Sequence, residues 1–290
     1  MALPKGKKTD DFAPVGRFQW PVGRYRIDSL FEFDPLKQPP IAEKSGSVLV
    51  GDETTELRLY SPLEDCPGLF TDFAEVHSAE DVKRFAARYG LLGKGVRNYV
   101  KSTVRGPKPY VSGERVSEWL GEAAEMARIL DLKQRIDEGN LKDVIHWKAD
   151  SVSYSIDFLG HHHFELIAHA TLRYATFFHL WKHGELKGPA EMLLAKTINT
   201  HLRESIAPQL TFDDSRQFKE YTWPLNLLGA MWFQMCRAFT GEQRVRRCPE
   251  CDGWMTYKRS TKTMHEKCAA RVRQRRYWEL HDAKKKTRKQ

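Results

Sequence analysis

Cys248-Pro-Glu-Cys251 sets two thiols two residues apart, thirteen residues separate Cys251 from His265, and Cys268 lies three positions beyond the histidine. The full pattern is C-x2-C-x13-H-x2-C. Zinc takes four soft or borderline ligands in a tetrahedron, and two pairs, each close in sequence but separated by a loop, supply that geometry. Cys248, Cys251, His265 and Cys268 are therefore expected to hold a structural Zn2+ as thiolates and a neutral imidazole. Sulfur and nitrogen fill all four positions, so no coordination site is left for a substrate or a water. Reading the thiols as small buried hydrophobes and His265 as an ordinary surface histidine leaves the clustering unexplained. Five cysteines so arranged do not make a disulfide framework, and a reducing compartment would keep them as thiols. Cys236 reads as core, and Cys66, beside Pro67, as inert.

The same segment carries the charge. The net charge is +9, yet residues 244–290 hold 16 Lys/Arg against 5 Asp/Glu, while residues 1–243 hold 31 against 33. A cationic block on a near-neutral body is the footprint of a module that meets a polyanion: nucleic acid first, an acidic lipid surface or acidic protein behind it. Past Cys268 the chain reads as helix. At about 100° per residue, Ala269, Val272 and Leu280 fall on one side and Lys267, Arg271, Arg275 and Trp278 on the other, with Arg276 intruding on the apolar stripe. The cations suit phosphates, Trp278 offers a ring to a base, and any base reading falls to Arg271, Arg273, Arg275 or Arg276. A solvated face without a partner is the alternative, as is a solvated tail for Lys284 to Lys289.

Other groups that could do chemistry are weaker. His161-His162-His163 cannot converge on one ion from a regular helix or strand, because adjacent side chains diverge. His169, His179, His183 and His201 read as interior or surface histidines. Asp213-Asp214 and Glu220 follow Pro208 in an expected loop and read as a solvated turn rather than a Mg2+ site. No GxxxxGK(S/T), GxGxxG, GxSxG or HExxH motif occurs, and no catalytic residues are expected.

What must position the ligands is a globular chain. With 41% apolar residues and 19 glycines in 290 residues, extensive disorder is excluded, and the length suggests about two domains. No window holds about 18 uninterrupted apolar residues, and MALPKGKKTDDF lacks the apolar stretch of a signal peptide, so a cytoplasmic, membrane-free location is expected. Residues 1–16 read as a flexible lead-in, 17–241 as a mixed body that senses a ligand or partner, 242–281 as the finger and 282–290 as a basic tail.

Within the body, RYRIDSLFEF and SVLVGDETTELRLY alternate; Val48 and Val50 before Gly51-Asp52, with Leu57 and Leu59 after, predict a β-hairpin. Ser78 is expected to cap a helix with Asp81 at its third position and Val82, Phe85, Ala86 and Leu91 on one face, ending near Gly90. A second helix is expected over 116–137 on Trp119, Leu120, Ala123, Ala127, Leu130 and Ile136, stopped by Gly139-Asn140. VIHWKADSVSYSIDFL reads as strand because Val152, Tyr154, Ile156 and Phe158 alternate with Ser and Asp. HFELIAHATLRYATFFHLW reads as helix. Pro189 opens another, burying Leu193, Leu194, Thr197, Ile198, His201 and Leu202, and Pro224 opens an apolar core helix ending at Gly241. The fold class is thus α+β, a mixed body followed by a small treble-clef-like zinc finger.

Taken together these residues resemble bacterial proteins ending in a CGNR-type or related treble-clef finger, usually described as transcriptional regulators. CPECDGWM, KRSTK and KCAARVRQRRYW follow the layout of knuckle, aromatic, basic turn and a last cysteine leading an Arg-rich helix. In the body, YSPLEDCPGLFTDFAEVHSAEDVKRFAARYGLLG and PLNLLGAMWFQM resemble blocks of actinobacterial proteins bearing such fingers. The resemblance implies a zinc-binding, DNA-binding protein with Cys248, Cys251 and Cys268 as ligands, and it matches Arg271 to the Arg three positions after the last cysteine. The chain departs from the signature at Ala269-Ala270, where the family has Gly-Asn, and at His265, where it has a cysteine at another spacing. The expectation is a zinc-dependent DNA-binding regulator. The alternatives are a module docking an acidic protein and a nuclease with its active site in the body.

Overall fold

The computed structural model describes residues 18–32, 43–51, 56–94, 97–100, 111–172, 174–212, 218–242, 244–257 and 263–287. The predicted lead-in, 1–16, and Asp213-Asp214 lie outside them. In chain order come β1 (Trp20–Val22), β2 (Tyr25–Glu32), β3 (Glu43–Gly51), β4 (Arg58–Tyr60), α1 (Pro62–Asp65), α2 (Leu69–Phe73) and α3 (Ala79–Tyr89). Then follow β5 (Arg97–Val100), β6 (Val111–Arg115), α4 (Val116–Glu138), β7 (Ile145–Trp147), β8 (Ser151–Phe158), β9 (His161–His169), α5 (Ala175–Leu180) and α6 (Lys187–Ser205). The chain ends through β10 (Ile206–Phe212), β11 (Phe218–Pro224), α7 (Leu227–Arg237), a π-helical turn (Ala238–Glu242), β12 (Arg244–Arg247), β13 (Trp254–Tyr257) and α8 (Glu266–Thr287). The fold is mixed α+β, as expected.

Two compact units divide the chain: Met1–Pro67, His77–Gly121 and Thr197–Gln234 form one, Gly68–Val76, Glu122–Lys196 and Met235–Gln290 the other. In the first, β2, β3, β6 and β5 close into an antiparallel four-stranded barrel. Val48, Leu49 and Val50 are all buried, as befits a strand covered on both faces. The expected hairpin across Gly51-Asp52 is not formed: β3 pairs with β2, and β4 pairs with β1. Alternation revealed the strands, but their partners are set by non-local register. The Ser78 hydroxyl does accept the Asp81 N–H at 3.2 Å, and Gly90, at φ 94°, stops α3 with Val82, Phe85 and Ala86 buried and Leu91 beyond the helix.

Pro224 closes β11 opposite Ile206 instead of opening a helix. The cap of α7 is Asn226, whose side-chain oxygen accepts the Gly229 N–H at 2.7 Å. Glu220, expected in a loop, lies on β11 opposite Leu210. One buried carboxyl organises this unit: Glu114, at the end of β6, accepts the N–H groups of Leu92 at 3.0 Å and Gly93 at 2.7 Å and the Trp119 indole N–H at 2.8 Å. Burial nevertheless pushes its pKa up to about 7.

In the second unit, β7, β8 and β9 form an antiparallel sheet. Leu159 and Gly160, at φ 50° and 78°, make a two-residue turn that folds β9 back on β8. The segment expected to be one helix is therefore strand to His169 and helix only over α5. Short apolar runs do not separate the two periods, and pairing with β8, which buries Ile167 and Ala168, decides the outcome. α4 runs as predicted, but Met126, Ile129 and Leu132 are also fully buried, so its covered face is wider than the predicted stripe. α6 begins two residues before Pro189 and buries Leu193, Leu194, Thr197 and Ile198, leaving His201 and Leu202 half-buried.

Candidate metal centre

Within the π-helical turn, Gly241, at φ 104°, breaks the helical path ahead of β12. β12 and β13 pair from Arg244↔Tyr257 to Arg247↔Trp254, and the knuckle lies at their tip. There the Cys248 N–H donates to the Gly253 carbonyl at 2.9 Å, and the Asp252 N–H to the Cys248 carbonyl at 2.8 Å. Asp252 takes the left-handed conformation, φ 57°, a position that Asp tolerates better than most residues. These closures bring both knuckle sulfurs to one side. The basic turn 258–262 lies outside the described residues. His265 then stands at the entry to α8, its carbonyl accepting the Ala269 N–H at 2.8 Å, and Cys268 falls in the first turn. Cys248, Met255 and Cys268 are buried together, with Tyr257 and Met264 packed around them.

The four ligand atoms lie close enough together to gather round one zinc. With Zn–S of about 2.3 Å and Zn–N of about 2.0 Å, tetrahedral ligands stand about 3.5–3.8 Å apart. Here all four lie within 4.8 Å of one another, and Cys251 Sγ is 3.3 Å from His265 Nδ1. His265 Nε2 lies 3.1 Å from the Trp254 carbonyl, which can only accept; Nε2 therefore carries the proton and Nδ1 turns its lone pair toward the sulfurs. Burial opposes ionisation of Cys248, but the N–H groups of His265, Glu250 and Cys251 outweigh it and hold the thiol at about 6. Burial and the two neighbouring cysteines push Cys268 up to about 11. One thiolate is thus ready at Cys248, and a divalent cation supplies what the Cys268 thiol needs to lose its proton. Cys248, Cys251, His265 and Cys268 form the structural zinc site. Among the described residues no other three Cys, His or acidic side chains converge this way.

The remaining candidates fall elsewhere. His161 and His162 are exposed on β9, and His162 Nδ1 lies 2.8 Å from Asp157 Oδ1. His201 stacks on the buried Trp232 with ring centroids 4.0 Å apart.

On α8, Val272 is buried and Ala269 half-buried, but every residue from Arg273 to Glu279 is exposed, so Arg276 is not covered. The side chain of Leu280 lies outside the described residues. The helical backbone continues to Thr287, through part of the segment expected to be a tail. Arg275 is held by Glu250 of the knuckle, at 3.0 and 3.3 Å. Arg247 binds the Asp252 carbonyl at 2.9 Å and lies over the Trp254 ring. Among the described residues none pairs with Lys267, Arg271, Arg273 or Arg276. Tyr277 and Trp278, 55% and 57% exposed, stand edge to face beside them. Sequence reasoning missed Glu250 as the anchor of Arg275 and the Trp254 carbonyl as the orienter of His265; Trp254 was visible only as the aromatic after the knuckle.

No helix among the described residues is long and apolar enough to cross a membrane. No family model, curated protein or solved structure matches the chain.

Proposed function

We propose that the chain is a zinc-dependent DNA-binding protein of the CGNR-like kind, a cytoplasmic transcriptional regulator rather than an enzyme. The observation that carries this reading is the concentration of unpaired cations on an uncovered helix: Arg271, Arg273 and Arg276 have no acidic partner among the described residues, and Tyr277 and Trp278 lie exposed among them. The zinc supports the reading by anchoring the first turns of α8, so that the helix beyond them presents its exposed arginines as a cationic rod. Phosphates would take up Arg271, Arg273 and Arg276, and Arg275 would keep the rod in register through Glu250. Fully ligated by protein, the zinc has no open position for catalysis.

Binding to duplex DNA across a salt series tests the reading. Affinity should fall steeply with salt, and Arg271→Ala with Arg276→Ala should make the log–log slope shallower by about two, one for each phosphate no longer neutralised. A flat dependence in both proteins would contradict it. The exposed Tyr277–Trp278 pair also suits an acidic protein, and a complex that survives nuclease would favour that second reading.

A further inference from the structure

We infer that Glu75 is an outer positioning residue of the metal centre, and that the Gly68–Val76 stretch belongs to the same metal-dependent module. The inference goes beyond the DNA-binding reading and does not depend on it. Glu75 lies 179 residues before Trp254, yet its Oε1 accepts the Trp254 N–H at 3.0 Å. The carbonyl of the same Trp254 accepts the His265 Nε2–H at 3.1 Å, and the Nδ1 of that ring faces Cys251 Sγ at 3.3 Å. Trp254 is therefore held from both sides, by the carboxylate through its N–H and by the ligand imidazole through its carbonyl.

Two further contacts place this stretch against the metal hairpin. A Cβ built on Gly253 would lie 3.6 Å from Cys251 Sγ, 3.7 Å from His265 Cε1 and 3.9 Å from Glu75 Oε1, so ligand sulfur, ligand ring and carboxylate converge on one point. One built on Gly68 would come within 2.6 Å of Thr256 Oγ1 on β13. After Gly68, Leu69, Phe70, Phe73 and Ala74 are buried, which fixes α2 and the turn after it that carries Glu75. A carboxylate that orients the peptide in front of a ligand histidine fixes the ring's tautomer and direction, as outer-sphere groups do at metal sites. Its negative charge also favours a cation nearby.

The test is zinc affinity of the full chain by competition with a chelator, together with the absorption of the Co2+-substituted protein. Removal of an outer-sphere partner weakens metal binding by about 10–100-fold, and for Glu75→Ala, one peptide removed from the ligand, about tenfold is expected, with Glu75→Gln within about threefold because its amide oxygen accepts the same N–H. The Co2+ bands should shift in Glu75→Ala and return in Glu75→Gln. An alanine variant that holds zinc as tightly as the parent, with unchanged Co2+ absorption, would overturn the inference. Amide exchange of the unsubstituted protein covers the case in which Glu75→Ala does not fold. Trp254 and residues 69–76 should be protected with zinc and exchange faster once it is stripped, whereas equal exchange in both states would also overturn it. None of these readouts involves DNA, so this inference and the functional proposal fail separately.

Discussion

Glu114 and Cys248 are both buried, at 1% and 0% exposure, and both accept several N–H donors, one in each unit of the chain. At Glu114 desolvation outweighs the backbone N–H groups of Leu92, Gly93 and Lys94 and an indole, and the carboxyl rises to about 7. At Cys248 desolvation yields to three backbone N–H groups, and the thiol falls to about 6. The first centre is complete without a cation: a carboxyl that clasps the Leu92–Gly93 turn to Trp119. The second is half of a site, prepared to give up protons and finished only when a cation arrives. Burial and donors thus compete at both groups, and burial prevails at Glu114 while the donors prevail at Cys248.

The largest expected effect breaks this symmetry outright. Structural zinc supplies on the order of 10 kcal/mol to such modules, so chelation or Cys268→Ser should abolish amide protection over residues 244–287. Protection around Glu114 should persist, because no ligand lies in that unit; an equal fall in protection there would break the comparison.

A smaller effect distinguishes the two centres by pH. The folded pKa of Glu114, about 7, exceeds its ordinary value of 4.5. The folded state therefore binds the extra proton across that window. Its contribution is full below about 4.5 and is lost as pH rises through about 7, by at most about 3 kcal/mol. Urea denaturation from pH 4 to 8 should show this fall in the parent relative to Glu114→Gln, and a parent that instead gains stability over the window would reverse the assignment.

The smallest effect concerns the stretch that carries Glu75. Gly68 combines φ 95° with a Cβ position 2.6 Å from Thr256 Oγ1, whereas Gly139, at φ 76°, has nothing within 4 Å. Gly68→Ala should cost about 1–3 kcal/mol in thermal unfolding and Gly139→Ala about 1 kcal/mol or less. Equal costs would mean that the packing against Thr256 is slack.

What the sequence disclosed follows the range of the interactions. The ligands were legible because a knuckle and a helix start are local, and the same holds for the Ser78 cap, the Gly90 stop and most of α4. The β8–β9 hairpin was missed because Leu159-Gly160 carries no Asn-Gly or Asp-Gly signal, and the β2–β3 pairing because register is non-local. Helical periodicity gave α8 an apolar side throughout, but a stripe is buried only where something covers it, and from Arg273 to Glu279 nothing does. Glu75 and Glu114 left no pattern at all: each accepts backbone N–H groups from residues far along the chain, and such contacts have no period to detect.

Metal content measured on the intact chain tests the central claim most directly. One zinc per chain is predicted, reduced to a trace in Cys248→Ser and Cys268→Ser and weakened in His265→Ala. A chain purified without zinc that still protects the β12–β13 hairpin and the first turns of α8 from amide exchange would contradict it.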